Sequence, residues 1–303
     1  MITPARTPAL DRGRRHVCAL LGSGITESLT PRMHEAAAER HGLTLIYRVV
    51  DLEVLGLTAQ EGVDLVPRAA QLGLSGMNIT HPCKQLVLPV LDELSPEAAL
   101  IGAVNTVVFT SGRIVGHNTD MTGFAHGFRR DLGNVDLSRV IQFGGGGAGS
   151  AVAHALAALG AEGLLIVDPE HSRATELAAS VESVSSLRVT AVAPEDAPAA
   201  MRLASGVVNC TPVGMAAHPG TPFPTSLLHP DQWVCDVIYR PLVSELISQA
   251  RQRGCRTATG AGMAVGQAVE SFALFTGTPP EPEGFEQDFH ALVDAERQAH
   301  ATS

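Results

Sequence analysis

No basic run stands out in this sequence. Its 21 Lys and Arg are outnumbered by 31 acidic residues, giving a formal net charge of −10. That balance argues against nucleic acid as a partner and for simple solubility. It still permits a local anion site, because a few aimed donors outweigh a diffuse charge. Aromatic residues are scarce at 4%, so the core must be built from Val, Leu, Ile and Ala within the 45% apolar fraction. No CxxC pair occurs. The cysteines Cys18, Cys83, Cys210, Cys235 and Cys255 are odd in number and scattered along 303 residues. A disulfide framework or a zinc cluster is therefore not expected, no metal is expected, and a reduced cytoplasmic compartment is. No uncharged apolar run reaches the roughly 18 residues of a membrane span. Neither a membrane association nor a secretory leader is expected, since Gly22 and Gly24 interrupt the first apolar segment. The first ten or so residues, and those from about Glu296, read as loose ends.

What is present is an alternation of short apolar runs with helical patterns, the rhythm of an α/β protein long enough for one large or two ordinary domains. Strands are predicted at 16–21, 43–50, 74–79, 104–109 and 113–115. Helices are predicted at 32–41 (with Thr30 as N-cap and Pro31 first), 55–72, 84–91 and 95–100. A helix near 121–130 leads into a second pattern. It consists of strand 139–143, helix 148–159, strand 164–168, helix 172–184, an extended piece at 187–191, and strands 206–209 and 233–239. A further helix is predicted at 262–275, and 219–224 and 279–284 read as loops. The second pattern is that of a doubly wound nucleotide domain.

The turn Gly144-Gly-Gly146-Gly147-Ala148-Gly149 contains G-x-G-x-x-G between a predicted strand and a predicted helix. Gly144 permits the tight turn, Gly146 lets backbone approach a pyrophosphate, and Gly149 lets helix and strand pack closely. The anion would lie at the helix N-terminus. Alone, such a turn can be an ordinary loop. Asp168, however, ends the next strand, where a carboxylate can accept from ribose hydroxyls and repel a 2′-phosphate. Pro169 follows and offers a phosphate neither a cation nor an N–H. The preference is thus for NAD over NADP, although Asp168 could also simply cap its turn.

Polar groups collect at the ends of the first predicted strands: Ser28 and Thr30, Asn78 and Thr80, Lys84, Asn105, and Asn118-Thr-Asp120. Strand ends of open α/β sheets are where ligands gather. Oxidation of an alcohol needs a proton acceptor, a task Lys84 can perform if Asp120 orders it and burial lowers its pKa. Taken singly, Lys84 reads equally as a solvated helix residue, Ser28 and Thr30 as helix caps, and Asn105 as a partner for local backbone.

The pieces occur in one order. They are Ser28-Leu-Thr30-Pro31, Asn78-Ile-Thr80-His-Pro-Cys-Lys84, Gly102-Ala-Val-Asn105-Thr and Gly116-His-Asn-Thr-Asp120, then the 144–149 turn. Asn209-Cys-Thr211-Pro212-Val-Gly214-Met, Asp236-Val-Ile-Tyr239 and Gly262-Met263-Ala-Val-Gly-Gln267-Ala follow. From about Leu20 to Gly277 the chain resembles the shikimate/quinate dehydrogenase family. The resemblance implies a substrate-binding α/β domain at 1–119, a Rossmann-type NAD domain at 120–256, and a C-terminal helical segment, 257–303, that packs back on the first domain. It implies Lys84 and Asp120 as the catalytic pair. Ser28, Thr30, Thr80, Asn105, Tyr239 and Gln267, with that pair, would bind quinate or shikimate. Gly144, Gly146, Gly147, Ala148, Gly149, Asp168 and Arg173 would hold the adenosine half of NAD. Asn209, Thr211, Pro212, Val237, Gly260 and Met263 would lie near the nicotinamide. Two departures from the commonest pattern of the family, Thr30 in place of Ser and Asp168-Pro-Glu-His171 in place of a basic cluster, resemble the NAD-linked quinate/shikimate dehydrogenases of actinobacteria. A biosynthetic shikimate dehydrogenase and an aminoshikimate dehydrogenase are the alternatives, as monomer or homodimer.

Overall fold

The structure, a computed structural model, describes residues 15–301. The expected N-terminal tail lies outside them. The chain divides into two compact units. One takes the described residues up to Glu93, then Thr106–Gly116, then those from Ser271 on; the other takes Leu94–Asn105 and His117–Glu270.

The first unit is built on six strands: β1 (Arg15–Gly22), β2 (Thr44–Asp51), β3 (Gly76–Ile79), β4 (Glu93–Leu94), β5 (Thr106–Thr110) and β6 (Arg113–His117). Their order is β2-β1-β3-β5-β6-β4. β1 runs parallel to β2 and β3, while β5 is antiparallel to β3. From Cys18 onward β1 is wholly buried, which its continuous apolar run requires. The stretch 55–72 is not one helix but the last part of three, Leu52–Leu55, Ala59–Val63 and Leu65–Gln71. Gly56 closes the first with φ +64°, and Thr58 opens the second through a reciprocal capping box with Glu61. Cap chemistry here overrides a loose apolar period. Similarly, 84–91 becomes the short helix Cys83–Leu86 and a 3-10 turn at Leu88–Val90, because Pro89 has no N–H to continue the ladder.

His34, on the helix Thr30–Arg40, is fully buried. Its Nδ1 donates to the Thr30 carbonyl at 2.9 Å, and Nε2 accepts from the Ser271 hydroxyl at 3.0 Å. The rings of Tyr47, Phe272, Phe275 and Phe285 surround it. Burial drives its pKa down to about 4, against the raising effect of the Thr30 carbonyl, so the ring is neutral. The helix Pro282–Ala301 has no counterpart in the sequence reading, which takes 279–284 for a loop and the residues from about Glu296 for a frayed end. Pro282 occupies its first position, and Phe285, Phe289 and Val293 bury its apolar face.

The second unit carries β7 (Val140–Phe143), β8 (Gly163–Val167), β9 (Arg188–Val192), β10 (Gly206–Asn209), β11 (Trp233–Asp236) and β12 (Arg256–Ala258). All are parallel, in the order β12-β11-β10-β7-β8-β9. That is the dinucleotide-binding order, with the strand sequence reversing between β7 and β10. Two helices of this unit, Asp120–Leu132 and the first turns of Gly260–Thr276, cross on glycine. A Cβ on Gly127 would lie 2.6 Å from the carbonyl carbon of Gly262, and one on Gly266 would lie 2.6 Å from the Gly123 Cα. The backbones touch because neither helix presents a side chain there. Among the described residues no helix is long and apolar enough to cross a membrane, and no three His, Cys, Asp or Glu side chains gather as a metal site.

Candidate active site

In the first unit, the predicted substrate residues lie at the C-terminal ends of the adjacent parallel strands β1 and β3. Ser28 and Thr30 follow β1; Thr80 and Lys84 follow β3. The two loops are in direct contact. Ser23 N donates to the His81 carbonyl at 2.9 Å, and a Cβ on Gly22 would strike Thr80 Cγ2 at 2.3 Å. Thr30 does not cap its helix. Leu29 holds the N-cap position without a side-chain bond, and Ser28 Oγ accepts from Thr30 N at 3.3 Å. Thr30 is therefore the first residue inside the helix, not its cap. Lys84 is half-buried, in the four-residue helix Cys83–Leu86.

In the second unit, Asn105, Thr119 and Gln267 are brought together. Asn105 Nδ2 donates to Thr119 Oγ1 at 3.0 Å and to Gln267 Oε1 at 3.5 Å; its Oδ1 accepts from Thr119 N at 2.9 Å. Asp120 is 2% exposed and opens the helix Asp120–Leu132, where the helix dipole favours a carboxylate. Asn118 Oδ1 accepts from its N–H at 3.0 Å.

The glycine turn joins β7 to the helix Gly147–Ala158. Gly144 has φ +99°, which a side chain would resist, and a Cβ there would also lie 2.8 Å from the Cys210 carbonyl oxygen. Gly146 and Gly147 face open space, with nothing within 4 Å of a Cβ. The helix has no side-chain cap, so its first N–H groups remain available to an anion. Asp168, just past β8, is buried; it accepts from Gly145 N at 2.8 Å and from Glu170 N at 2.9 Å. Its carboxylate is thus fastened to the turn itself. Arg173 is exposed, and its guanidinium pairs with Glu170 at 2.8 Å.

At the ends of β10 and β11 a buried polar network joins Asn209, Thr211, Asp236 and Ser244. Asn209 Oδ1 accepts from the Thr211 N–H and hydroxyl at 2.9 and 2.7 Å, and its amide donates to Asp236 at 3.1 Å. The Ser244 hydroxyl and Ile238 N also donate to Asp236. Burial nonetheless raises its pKa to about 6, against the lowering by Ser244, Ile238 and Asn209. Gly260 packs on Val237, its absent Cβ only 2.1 Å from the Val237 oxygen. Tyr239 is half-buried, Pro212 is exposed, and Met263 and Val237 rest against the core. Ser244, Asp51 and Gln142 escaped the sequence reading, and Asp236 entered it only as part of a motif, with no role of its own. A signal existed for two of them: Gln142 interrupts an apolar strand and Asp236 ends one.

Residues 20–107 match the family model of the shikimate dehydrogenase substrate binding domain. The chain is 51% identical over 267 residues to a shikimate dehydrogenase (NADP(+)) of Streptomyces avermitilis, covering 88% of this chain and 92% of that protein. The chain belongs to the shikimate/quinate dehydrogenase family. It is also 44% identical to a quinate/shikimate dehydrogenase (NAD(+)) of Corynebacterium efficiens, covering 90% of this chain and 97% of the relative. Among solved structures, quinate dehydrogenase from Corynebacterium glutamicum in complex with NAD superposes with a TM-score of 0.84 and 42% identity, covering 91% and 99% of the two chains. Members of this dehydrogenase family named for either cofactor thus stand at similar distances, and overall identity does not separate them.

Proposed function

We propose that this chain is an NAD-dependent quinate/shikimate dehydrogenase of the cytoplasm. It interconverts the C3 hydroxyl of the ring and its ketone, giving 3-dehydroquinate from quinate or 3-dehydroshikimate from shikimate. The observation that carries the cofactor choice is the anchored Asp168. A buried carboxylate held by Gly145 N and Glu170 N cannot swing aside, so a 2′-phosphate would meet an immobile negative charge. Ribose hydroxyls, by contrast, can donate to it.

The accessible glycines, the uncapped helix and Asp168 suit a dinucleotide; NAD would lie on Gly144–Gly149, and when bound it supplies the hydride acceptor. The protein supplies binding and proton transfer. Ser28 and Thr30 donate to the substrate carboxylate, and Thr80, Asn105 and Gln267 orient the ring hydroxyls. Lys84 accepts the alcohol proton during oxidation and returns it to the forming alkoxide during reduction. Asp120 assists Lys84, while Tyr239 borders the substrate.

Steady-state rates with quinate and shikimate, each with NAD and NADP, test the reading. NAD is expected to lead in kcat/KM by at least roughly tenfold, or about 1.4 kcal/mol. Asp168→Ser should narrow that gap without creating efficient NADP use, because the guanidinium of Arg173 is already paired with Glu170. Parity of the two cofactors in the unaltered enzyme would overturn it.

A further inference from the structure

Gln142 is the one polar residue of β7 (Val-Ile-Gln-Phe), and it is completely buried. Its strand neighbours at the same level are Ile166 on β8 and Val208 on β10. Its amide nitrogen donates to two main-chain carbonyls, Gly144 O and Gly149 O, each at 2.9 Å. An amide has two N–H groups, and both are used. The two carbonyls are the opposite ends of the glycine turn. One lies where β7 stops, the other in the first turn of the helix Gly147–Ala158. At Gly149 a Cβ would lie 2.1 Å from Gly144 O and 2.9 Å from Gln142 Nε2, so glycine there is what lets the side chain reach both ends.

Further fastenings of the turn are Gly144 N on the Val167 carbonyl and Gly145 N on Asp168, both at 2.8 Å. With these, the turn is held on its strand side while Gly146 and Gly147 stay open. Gln142 Oε1 accepts no hydrogen bond among the described residues. A buried unsatisfied acceptor is unfavourable, so stability alone would favour Leu or Met at this strand position. The side chain is better explained by what its nitrogen holds than by what its burial adds.

We infer that Gln142 is a positioning residue for the cofactor: it bridges the two ends of the glycine turn and fixes the spacing at which the turn presents its N–H groups to the pyrophosphate. The inference rests on the reading of this turn as an NAD site. Gln142→Leu keeps the size and removes both bonds. Gln142→Asn keeps the amide but is one methylene too short to span both carbonyls. Calorimetric titration of the full chain with NAD, and steady-state rates with shikimate, give the test. Both variants are expected to raise the Kd for NAD by about fivefold or more, as loss of such bonds would. At saturating NAD, kcat and the KM for shikimate should stay within about twofold of the unaltered enzyme. Should the Leu variant not fold, the Asn variant decides alone. An unchanged Kd in a folded variant overturns the inference, and so does an equal loss in kcat and shikimate KM. If the unaltered chain itself binds no NAD, the proposed function fails and takes this inference with it; normal binding there with equal binding in the variants refutes the inference alone.

Discussion

Asp51 gathers donors as few carboxylates do. The N–H groups of Gly24, Ile25 and Thr26, the Thr26 hydroxyl and Glu53 N all point at its two oxygens, at 2.8–3.1 Å. Burial opposes the charge, but Thr26, Ile25, Gly24 and Glu53 together outweigh it and hold the carboxyl below its ordinary range. The loop so fastened leads directly into Ser28 and Thr30. Asp51→Ala should therefore raise the KM for shikimate roughly tenfold, the scale of a lost charged hydrogen bond, with little change in the Kd for NAD. Because the folded pKa is depressed, this fastening is complete above the ordinary carboxylate pKa and is lost as pH falls through the folded value. Lys84→Ala is a different experiment: kcat should fall by ~10²–10⁴-fold, the span for a positioned base. A near-normal kcat at saturating substrate, with only KM raised, would make Lys84 a binding group and assign the proton to another.

Among elements, the glycine crossing of Asp120–Leu132 with Gly260–Thr276 has the sharpest consequence. Gly123 lies against the backbone that carries Gln267, its absent Cβ 2.7 Å from Gln267 N. Gly123→Ala should push the helices apart, costing about 1–3 kcal/mol of stability as overpacking does. It should also raise the KM for shikimate by withdrawing Gln267 from Asn105. Thermal melts and steady-state rates read the two effects, and a variant with normal melting and normal KM would show that the contact yields without cost. Elements of this kind mark the limit of reading the chain alone. The strand ends bearing Thr80, Asp168 and Asn209 were legible, because apolar runs followed by polar residues declare them. The division of 52–71 into three helices was not, since it turns on one left-handed glycine and one capping box. Pro282–Ala301 was missed because its opening residues are those of a loop. Thr30 was misread as a cap because the helix begins one residue earlier than its Thr-Pro pair suggests: Leu29 holds the N-cap position, and the Thr30 N–H itself donates to Ser28 Oγ. Gln142 and Asp236 were visible as polar breaks in apolar strands, but their partners are carbonyls and amides that only the fold supplies.

At the scale of the molecule, two buried groups make the units respond oppositely to acid. His34, with its pKa lowered to about 4, is neutral when folded, so stability in its unit is full above the ordinary histidine value and drains away as pH falls from about 6.5 toward 4. Asp236, raised to about 6, binds its proton more readily folded than unfolded, so its unit gains stability as pH falls from about 6 toward 3.8 and loses it on the way back. Each contribution is on the order of 3 kcal/mol. Calorimetry at pH 7 and pH 4.5 should show Asp236→Asn lacking the acid gain that the unaltered chain has in the nucleotide-binding unit. Identical pH responses of variant and parent would mean that burial does not raise the Asp236 pKa into this range.

The chain changes unit after Glu93, Asn105, Gly116 and Glu270. That threading bears on how the protein is made. Domains commonly fold in turn as they emerge from the ribosome, but here the unit begun first is completed last. The cage of Phe272, Phe275 and Phe285 around His34 cannot close until the last helices have been synthesised. The nucleotide-binding unit, which needs nothing beyond Glu270, has all its residues earlier. During translation the N-terminal half must wait with the aromatic packing around His34 unmade, so nascent chains halted before residue 271 should be protease-sensitive in their first 93 residues and protected in the Rossmann region.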